Sequence, residues 1–178
     1  MSEGKIVNIH IIGSVGSGKT TLARELAADL SIPNYEIDNF VWERNPYGDH
    51  RRSDLEILKV VKKIVATENW IIEGVHTREW IASSLQQVHL IILLDPPSKV
   101  RRYRIIKRFF RQLVKLEKAN YKPSWKIFMN MFKWDAQFER NGKASLYRMC
   151  RGFESKIVVV KSKDEATMLV KREWKKSC

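Results

Sequence analysis

Ile6 to Ile12 is a β-branched run that meets the small-residue stretch Gly13 to Gly18, after which Leu22, Leu26 and Leu30 recur at i+4 intervals. These patterns predict a strand, a glycine-rich loop and a helix. Ser31-Ile32-Pro33 breaks the helix, and Asn34 to Ile37 reads as a short second strand. The polar stretch Glu43 to Arg52 carries no periodicity. It leads to Ser53, a predicted N-cap for a helix with Leu55, Leu58, Val61, Ile64 and Val65 on one side. Trp70-Ile71-Ile72 predicts a third strand ending at Glu73-Gly74, and a short helix around Arg78 to Gln87 precedes the most apolar strand, His89 to Leu94. Two long helical segments, Ser98 to Lys118 and Ser124 to Arg140, flank Asn120-Tyr121-Lys122-Pro123; a fifth strand, Lys156 to Val160, and a helix from Asp164 to Trp174 follow. Continuously apolar strands alternating with helices imply a parallel sheet buried on both faces. The expected architecture is α/β: a three-layer, doubly wound domain with five strands.

A length of 178 residues, 44% hydrophobic and 30% charged, fits one globular domain. No apolar run approaches the ~18 residues of a spanning helix. The start of the chain leads into a strand rather than a signal-peptide core, so neither secretion nor a membrane partner is expected. Two cysteines, Cys150 and Cys178, at no metal-ligand spacing suggest neither a disulfide framework nor a zinc site, and a reducing, cytoplasmic location is expected. The net charge of +13 changes the picture more, because eleven basic residues face one acid, Glu117, between Lys99 and Lys126. That concentration attracts polyanions: nucleotides, nucleic acids or acidic lipid surfaces.

The stretch Gly13-Ser14-Val15-Gly16-Ser17-Gly18-Lys19-Thr20 fits GxxxxGK[ST] at every fixed position, and it lies where a strand passes into a helix, the context of a phosphate-binding P-loop. From average residue frequencies, a chance match in a chain of this length is on the order of one in a hundred. Backbone N–H groups from Gly13 to Thr21 would cradle the phosphates of ATP, with the helix N-terminus adding its partial positive charge. Lys19 would bridge the β- and γ-phosphates, and the Thr20 hydroxyl would be a ligand of Mg²⁺.

Together with Ile37-Asp38, Val41-Trp42, Trp70-Ile71-Ile72-Glu73-Gly74 and Leu94-Asp95-Pro96-Pro97 and the arginine-rich segment after it, this motif resembles the adenylate-kinase-related small P-loop kinases. The nearest resemblance is to bacterial FlaR-type DNA topology modulation proteins. It implies a P-loop NTPase fold with strand order 2-3-1-4-5, a helical lid insertion over residues 98–140 of a single 1–178 domain, and an ATP- and Mg²⁺-dependent kinase. Glu73-Gly74 is similar to the Asp-Gly pair of adenylate kinases, which implies a metal role for Glu73. Asp95 also fits a loose Walker B pattern, although a helix-capping role suits an Asp before Pro-Pro better. Asp38, two residues after Glu36, resembles the DxD of shikimate-type kinases and is the candidate acceptor-side carboxylate, as base or anchor; a turn or cap at a strand exit is the alternative.

At 100° per residue, Arg101, Arg104, Arg108, Arg111 and Lys115 share one side of a helix, and Tyr103, Ile105, Ile106, Phe109, Phe110, Leu113, Val114 and Leu116 the other. Arg101, Arg104 and Arg108, in the first turns, are the candidates for closing on the γ-phosphate. Arg102 falls in the apolar arc and either snorkels or points at the phosphates. Arg78 is a phosphate contact or an exposed helix residue, and His76 is a weak acceptor candidate. Trp125, Phe128, Phe132, Trp134 and Phe138 interleave with basic residues; core or hinge packing is the favoured reading and base stacking the rival. Ser162-Lys163 stands where related kinases contact adenine. The combined expectation is a kinase that transfers the γ-phosphoryl group of Mg-ATP to a nucleotide, nucleoside or other small acceptor near Asp38, Phe40 and Trp42. An ATP-binding protein that contacts nucleic acid, or an acceptor-independent NTPase, is the alternative; oligomeric state is left open.

Overall fold

The computed structural model describes residues 7–43, 45, 48–75, 78–117 and 123–175. Five parallel strands form the central sheet: β1 (Asn8–Ile12), β2 (Asn34–Glu36), β5 (Trp70–Glu73), β6 (Leu90–Leu94) and β7 (Ile157–Val160). Their order across the sheet is β2-β5-β1-β6-β7, the 2-3-1-4-5 order of a P-loop NTPase fold. Alternation along the strands divides the core. Ile9, Ile11, Ile71 and Ile92 meet α1 (Lys19–Leu30) and α8 (Lys163–Lys175) through Leu22, Leu26, Ala166 and Val170. Ile12, Trp70, Ile72 and Leu93 face the opposite layer, where α3 (Asp54–Val65), α4 (Ala82–Gln87) and α7 (Lys143–Met149) contribute Ile57, Val61, Leu85 and Leu146. Both faces are thus covered, as apolar parallel strands require.

Ser53 caps α3: its hydroxyl accepts from the Glu56 N–H, and the Glu56 carboxylate accepts from the Ser53 N–H, a complete capping box. Ile57 joins the core in place of the expected Leu55, which is exposed because it lies one residue off the buried line. The stretch after β2 departs further from expectation. Ile37–Val41 is a short helix, α2, and β3 (Trp42–Glu43) pairs antiparallel with β4 (His50–Arg51) inside what reads as a structureless polar segment.

The helical insertion begins with α5 (Ser98–Leu113) and returns through α6 (Trp125–Gln137), capped by Ser124. Ile105, Phe109, Phe128 and Met131 form a small core of their own, on which Val15 of the glycine-rich loop packs. Helix α6 does not stop near Arg140; a single π-helical turn, Phe138–Gly142, carries the chain directly into α7.

Candidate functional site

Strand β1 ends at Ile12, and Gly13 to Gly18 wraps around the N-terminus of α1. Gly16 takes φ 75°, and a Cβ there would stand 2.6 Å from the carbonyl oxygen of Arg101, so neither the conformation nor the space admits a side chain. Ser14 and Ser17 are buried, Val15, Lys19 and Thr20 are half-buried, and Thr21 is exposed.

β5 is the immediate neighbour of β1, and its last residue, Glu73, is in register with Ile11 on one side and Glu36 on the other. The Thr20 hydroxyl donates to Glu73 Oε1 at 2.6 Å, while Glu73 Oε2 is buried without a hydrogen-bond partner among the described residues. Burial pushes the Glu73 carboxyl above the usual carboxylate range, opposed by the charge of Lys19 and the Thr20 hydrogen bond and reinforced by Glu36 and Asp38. A carboxylate held this way has an unspent oxygen beside a hydroxyl at the mouth of a phosphate loop, a donor set that suits a hard divalent cation. No cluster of three or more His, Cys, Asp or Glu able to hold a metal occurs among the described residues. Mg²⁺ held by Thr20 and Glu73 would therefore draw its remaining ligands from phosphate oxygens and water.

Asp38 lies in the first turn of α2, exposed, with its charge felt at Glu73. Glu36 is engaged by Arg24 at 2.5 Å and by the Asn39 amide at 3.3 Å. A cleft of ≈ 400 Å³ runs beside edge strand β2 and reaches Glu36 and Asn39 from a wall formed by Tyr35, Val60 and Ile64. Phe40 is mostly in the core, 7% exposed and edge-on to Trp80 with ring centroids 6.2 Å apart, and also lines this cleft. His76 lies outside the described residues. Arg78 is exposed, 3.8 Å from Asp54.

The basic helix departs most from expectation. Arg101 does not face the phosphate loop's mouth; it is 1% exposed, with its guanidinium divided among Asp135 (2.6 Å), Asp95 (3.2 Å), Glu139 and the Pro96 carbonyl oxygen (2.7 Å). Its charge is spent on carboxylates, which corrects its reading as a phosphate-closing arginine. Asp95 likewise does not cap α5, whose N-cap is Pro97; it accepts from Lys143 Nζ at 2.7 Å as well as from Arg101. Asp135 accepts in turn from the Ser14 hydroxyl at 2.7 Å, so a buried pair fastens the second insertion helix to the phosphate loop. Sequence reasoning missed Asp135. The available signal was a lone carboxylate on the buried line Phe128, Met131, Asp135, Phe138, a position that needs a cation partner.

Arg104 Nη1 donates to the Ser17 carbonyl oxygen at 2.6 Å, beside Gly18. Arg108 is one turn further along and half-buried, 3.6 Å from Glu117, which Arg111 also meets at 3.4 Å. Arg102 is exposed and thus keeps its charge in solvent. Of the five aromatics from Trp125 to Phe138, Phe128 and Phe138 are buried and Phe132 packs on the small core, with Phe109 stacked on Phe128 at 4.3 Å, while Trp125 and Trp134 are exposed. Lys163, at the start of α8, is paired with Glu25 at 2.7 Å.

The sheet order and the loop between β1 and α1 give the chain a P-loop NTPase fold. No protein-family model matches it. Among solved structures, a shikimate kinase from Acinetobacter baumannii in complex with shikimate superposes with TM-score 0.59 at 15% identity, covering 97% of this chain and 96% of that one. An uncharacterized protein from Eubacterium ventriosum gives 0.57 at 18% identity, with 97% and 99% covered. Among curated proteins, a shikimate kinase of Enterococcus faecalis is 28% identical over 97 residues, 47% of this chain and 58% of that protein. The uncharacterized protein YqaC of Bacillus subtilis is 28% identical over 109 residues, 59% of this chain and 58% of that protein. The chain thus spans less than two thirds of the length of these curated relatives. None of the four carries the topology-modulation name to which the sequence resemblance leads.

Proposed function

We propose that this protein is a kinase that transfers the γ-phosphoryl group of Mg-ATP to a small hydroxylated acceptor. The observation that carries the reading is the half-satisfied Glu73 carboxylate bonded to Thr20 of the phosphate loop, beside Lys19. Bound Mg²⁺ would supply charge neutralisation on the β- and γ-phosphate oxygens. The loop amides and Lys19 hold the triphosphate in place, and Arg104, anchored on Ser17, brings a guanidinium beside it. Arg108 is the next cation along the same side of α5. In the transfer, the acceptor oxygen bonds to the γ-phosphorus, the bond to the β–γ bridging oxygen breaks, ADP departs, and the hydroxyl proton passes to a carboxylate, for which Asp38 is the candidate. Positioning and electrostatics account for most of such a reaction, so no covalent enzyme intermediate is required.

The similarity to shikimate kinases makes a polyhydroxylated carboxylate such as shikimate one acceptor class to test beside nucleosides and nucleoside monophosphates. ADP release is to be screened across these three classes with the wild-type protein and Lys19→Ala. Acceptor-dependent release that falls about a hundredfold or more in Lys19→Ala is the expected result. Full activity in that variant, or ADP release indifferent to every acceptor, would defeat the reading.

A further inference from the structure

α5 buries only one line of its surface. Arg101, Ile105, Phe109 and Gln112 face the phosphate loop and α6, and Arg104 reaches Ser17 from the adjoining side. Tyr103, Ile106, Phe110, Leu113 and Val114, which share the apolar half of the helical wheel with Ile105 and Phe109, are 40–64% exposed, and Leu116 beyond the helix end is 72% exposed. At 100° per residue the four helical positions, the C-cap Val114 and Lys99 occupy an arc of about 100°, bordered by Arg102 on one side and Lys107 on the other. Lys99, Arg102 and Lys107 are exposed and meet no carboxylate among the described residues, whereas Arg108 and Arg111 on the inner side share Glu117. Trp125, at the start of α6, is 66% exposed and packs its ring against Phe109, 5.9 Å between centroids, which extends the apolar surface.

The arc points away from the side that bears Arg104 and Arg108, so a bound nucleotide would leave it uncovered. We infer that this outer face of α5 is a peripheral docking surface for an anionic lipid bilayer. Charge and shape select that occupant. A second copy of the chain would bring Lys99, Arg102 and Lys107 against their own equivalents in a molecule of net charge +13. A nucleic acid supplies phosphates but no hydrocarbon to cover Ile106, Leu113 and Val114. The stripe is a ridge on one convex helix, which fits a planar interface in which aliphatic groups enter the acyl boundary and flanking cations meet headgroup phosphates. No helix among the described residues is long and apolar enough to cross a membrane, but a surface contact needs none, and the basic stretch between Lys99 and Lys126 already favours acidic lipid surfaces.

The test is co-sedimentation with phosphatidylcholine vesicles containing 30% phosphatidylglycerol, against pure phosphatidylcholine vesicles. Three proteins of verified circular dichroism are compared: wild type, the pair Phe110→Glu with Leu113→Glu, and Lys59→Glu on exposed α3. Both variants lower the net charge by two, which separates a general effect of charge from one of the stripe. Expected is binding to the anionic vesicles only, weakened about tenfold or more in the Phe110/Leu113 pair and less than about twofold in Lys59→Glu. Absence of wild-type binding overturns the inference, as does equal weakening in both variants. So does a wild-type dimer, or binding to duplex DNA, that the Phe110/Leu113 pair abolishes while vesicle binding persists. Nucleotide binding does not enter the comparison, so its outcome is independent of the kinase reading.

Discussion

His10 occupies the middle of the central strand, 1% exposed, edge-on to Trp70 and with Nε2 2.9 Å from the Ser84 hydroxyl. Burial lowers its pKa from 6.5 to about 3. The fold therefore favours the neutral ring: the associated stability is complete above pH 6.5 and is lost as the pH falls toward 3, at about 1.4 kcal/mol per unit. Urea unfolding at pH 7.5 and pH 5.0 should show wild type losing about 2 kcal/mol more than His10→Gln. An identical loss in the two proteins would mean that the imidazole does not carry the effect. Glu73 has the opposite sign. Its raised pKa means that the protonated carboxyl suits the fold; that contribution is present below the unfolded-state value and is lost as the pH rises through the folded one. At neutral pH the group is a stability cost retained at the candidate cation site. Glu73→Gln should raise the melting temperature of the ligand-free protein while abolishing the magnesium dependence of nucleotide binding. A variant that melts lower would contradict the stability cost, and one whose nucleotide binding still responds to magnesium would contradict the cation role.

Among elements, α5 and α6 act on the phosphate loop through the chain of contacts Arg101, Asp135 and Ser14. Ser14→Ala removes the last link and leaves Arg101 and Asp135 paired, so affinity for a non-hydrolysable ATP analogue should fall about tenfold, the lower end of the effect of one hydrogen bond to a charged group. Arg101→Ala leaves the buried Asp135 without a cation, while Asp95 and Glu139 keep Lys143, and should cost about 3–5 kcal/mol of stability. Calorimetric titration and urea unfolding read the two effects separately; wild-type affinity in Ser14→Ala would show that the loop holds its shape unaided. The limits of the sequence are visible in the same elements. Arg101 and Arg104 look alike on a helical wheel, and only the position of α6 decides that one is buried while the other lies over Ser17. The β3–β4 hairpin has two-residue strands, too short to carry a period. Helix α7 follows Asn141-Gly142, which reads as a stop, yet the π-turn runs through it.

At the scale of the molecule, the sheet and the loop were legible because long apolar runs and fixed glycine positions are local signals. Strand order followed from the resemblance carried by the loop and the strand ends, and the two-sided burial from uninterrupted apolar strands. What was not legible was partnership. The apolar half of α5 shows on a helical wheel, but hydrophobicity reports what a residue avoids, and only the three-dimensional arrangement shows whether a neighbour is there to shelter it. The same holds for Asp95, a capping residue on paper and an ion-pair member in space.

Arg101 and Asp135 stand 34 positions apart, yet neither is tolerable in that interior without the other. Descendants and cousins of this chain should then inherit the two letters jointly or forfeit them jointly. A lineage drifting at one position would pass through an unfit intermediate, so the pair ought to surface as a correlated column pair once enough related sequences are gathered.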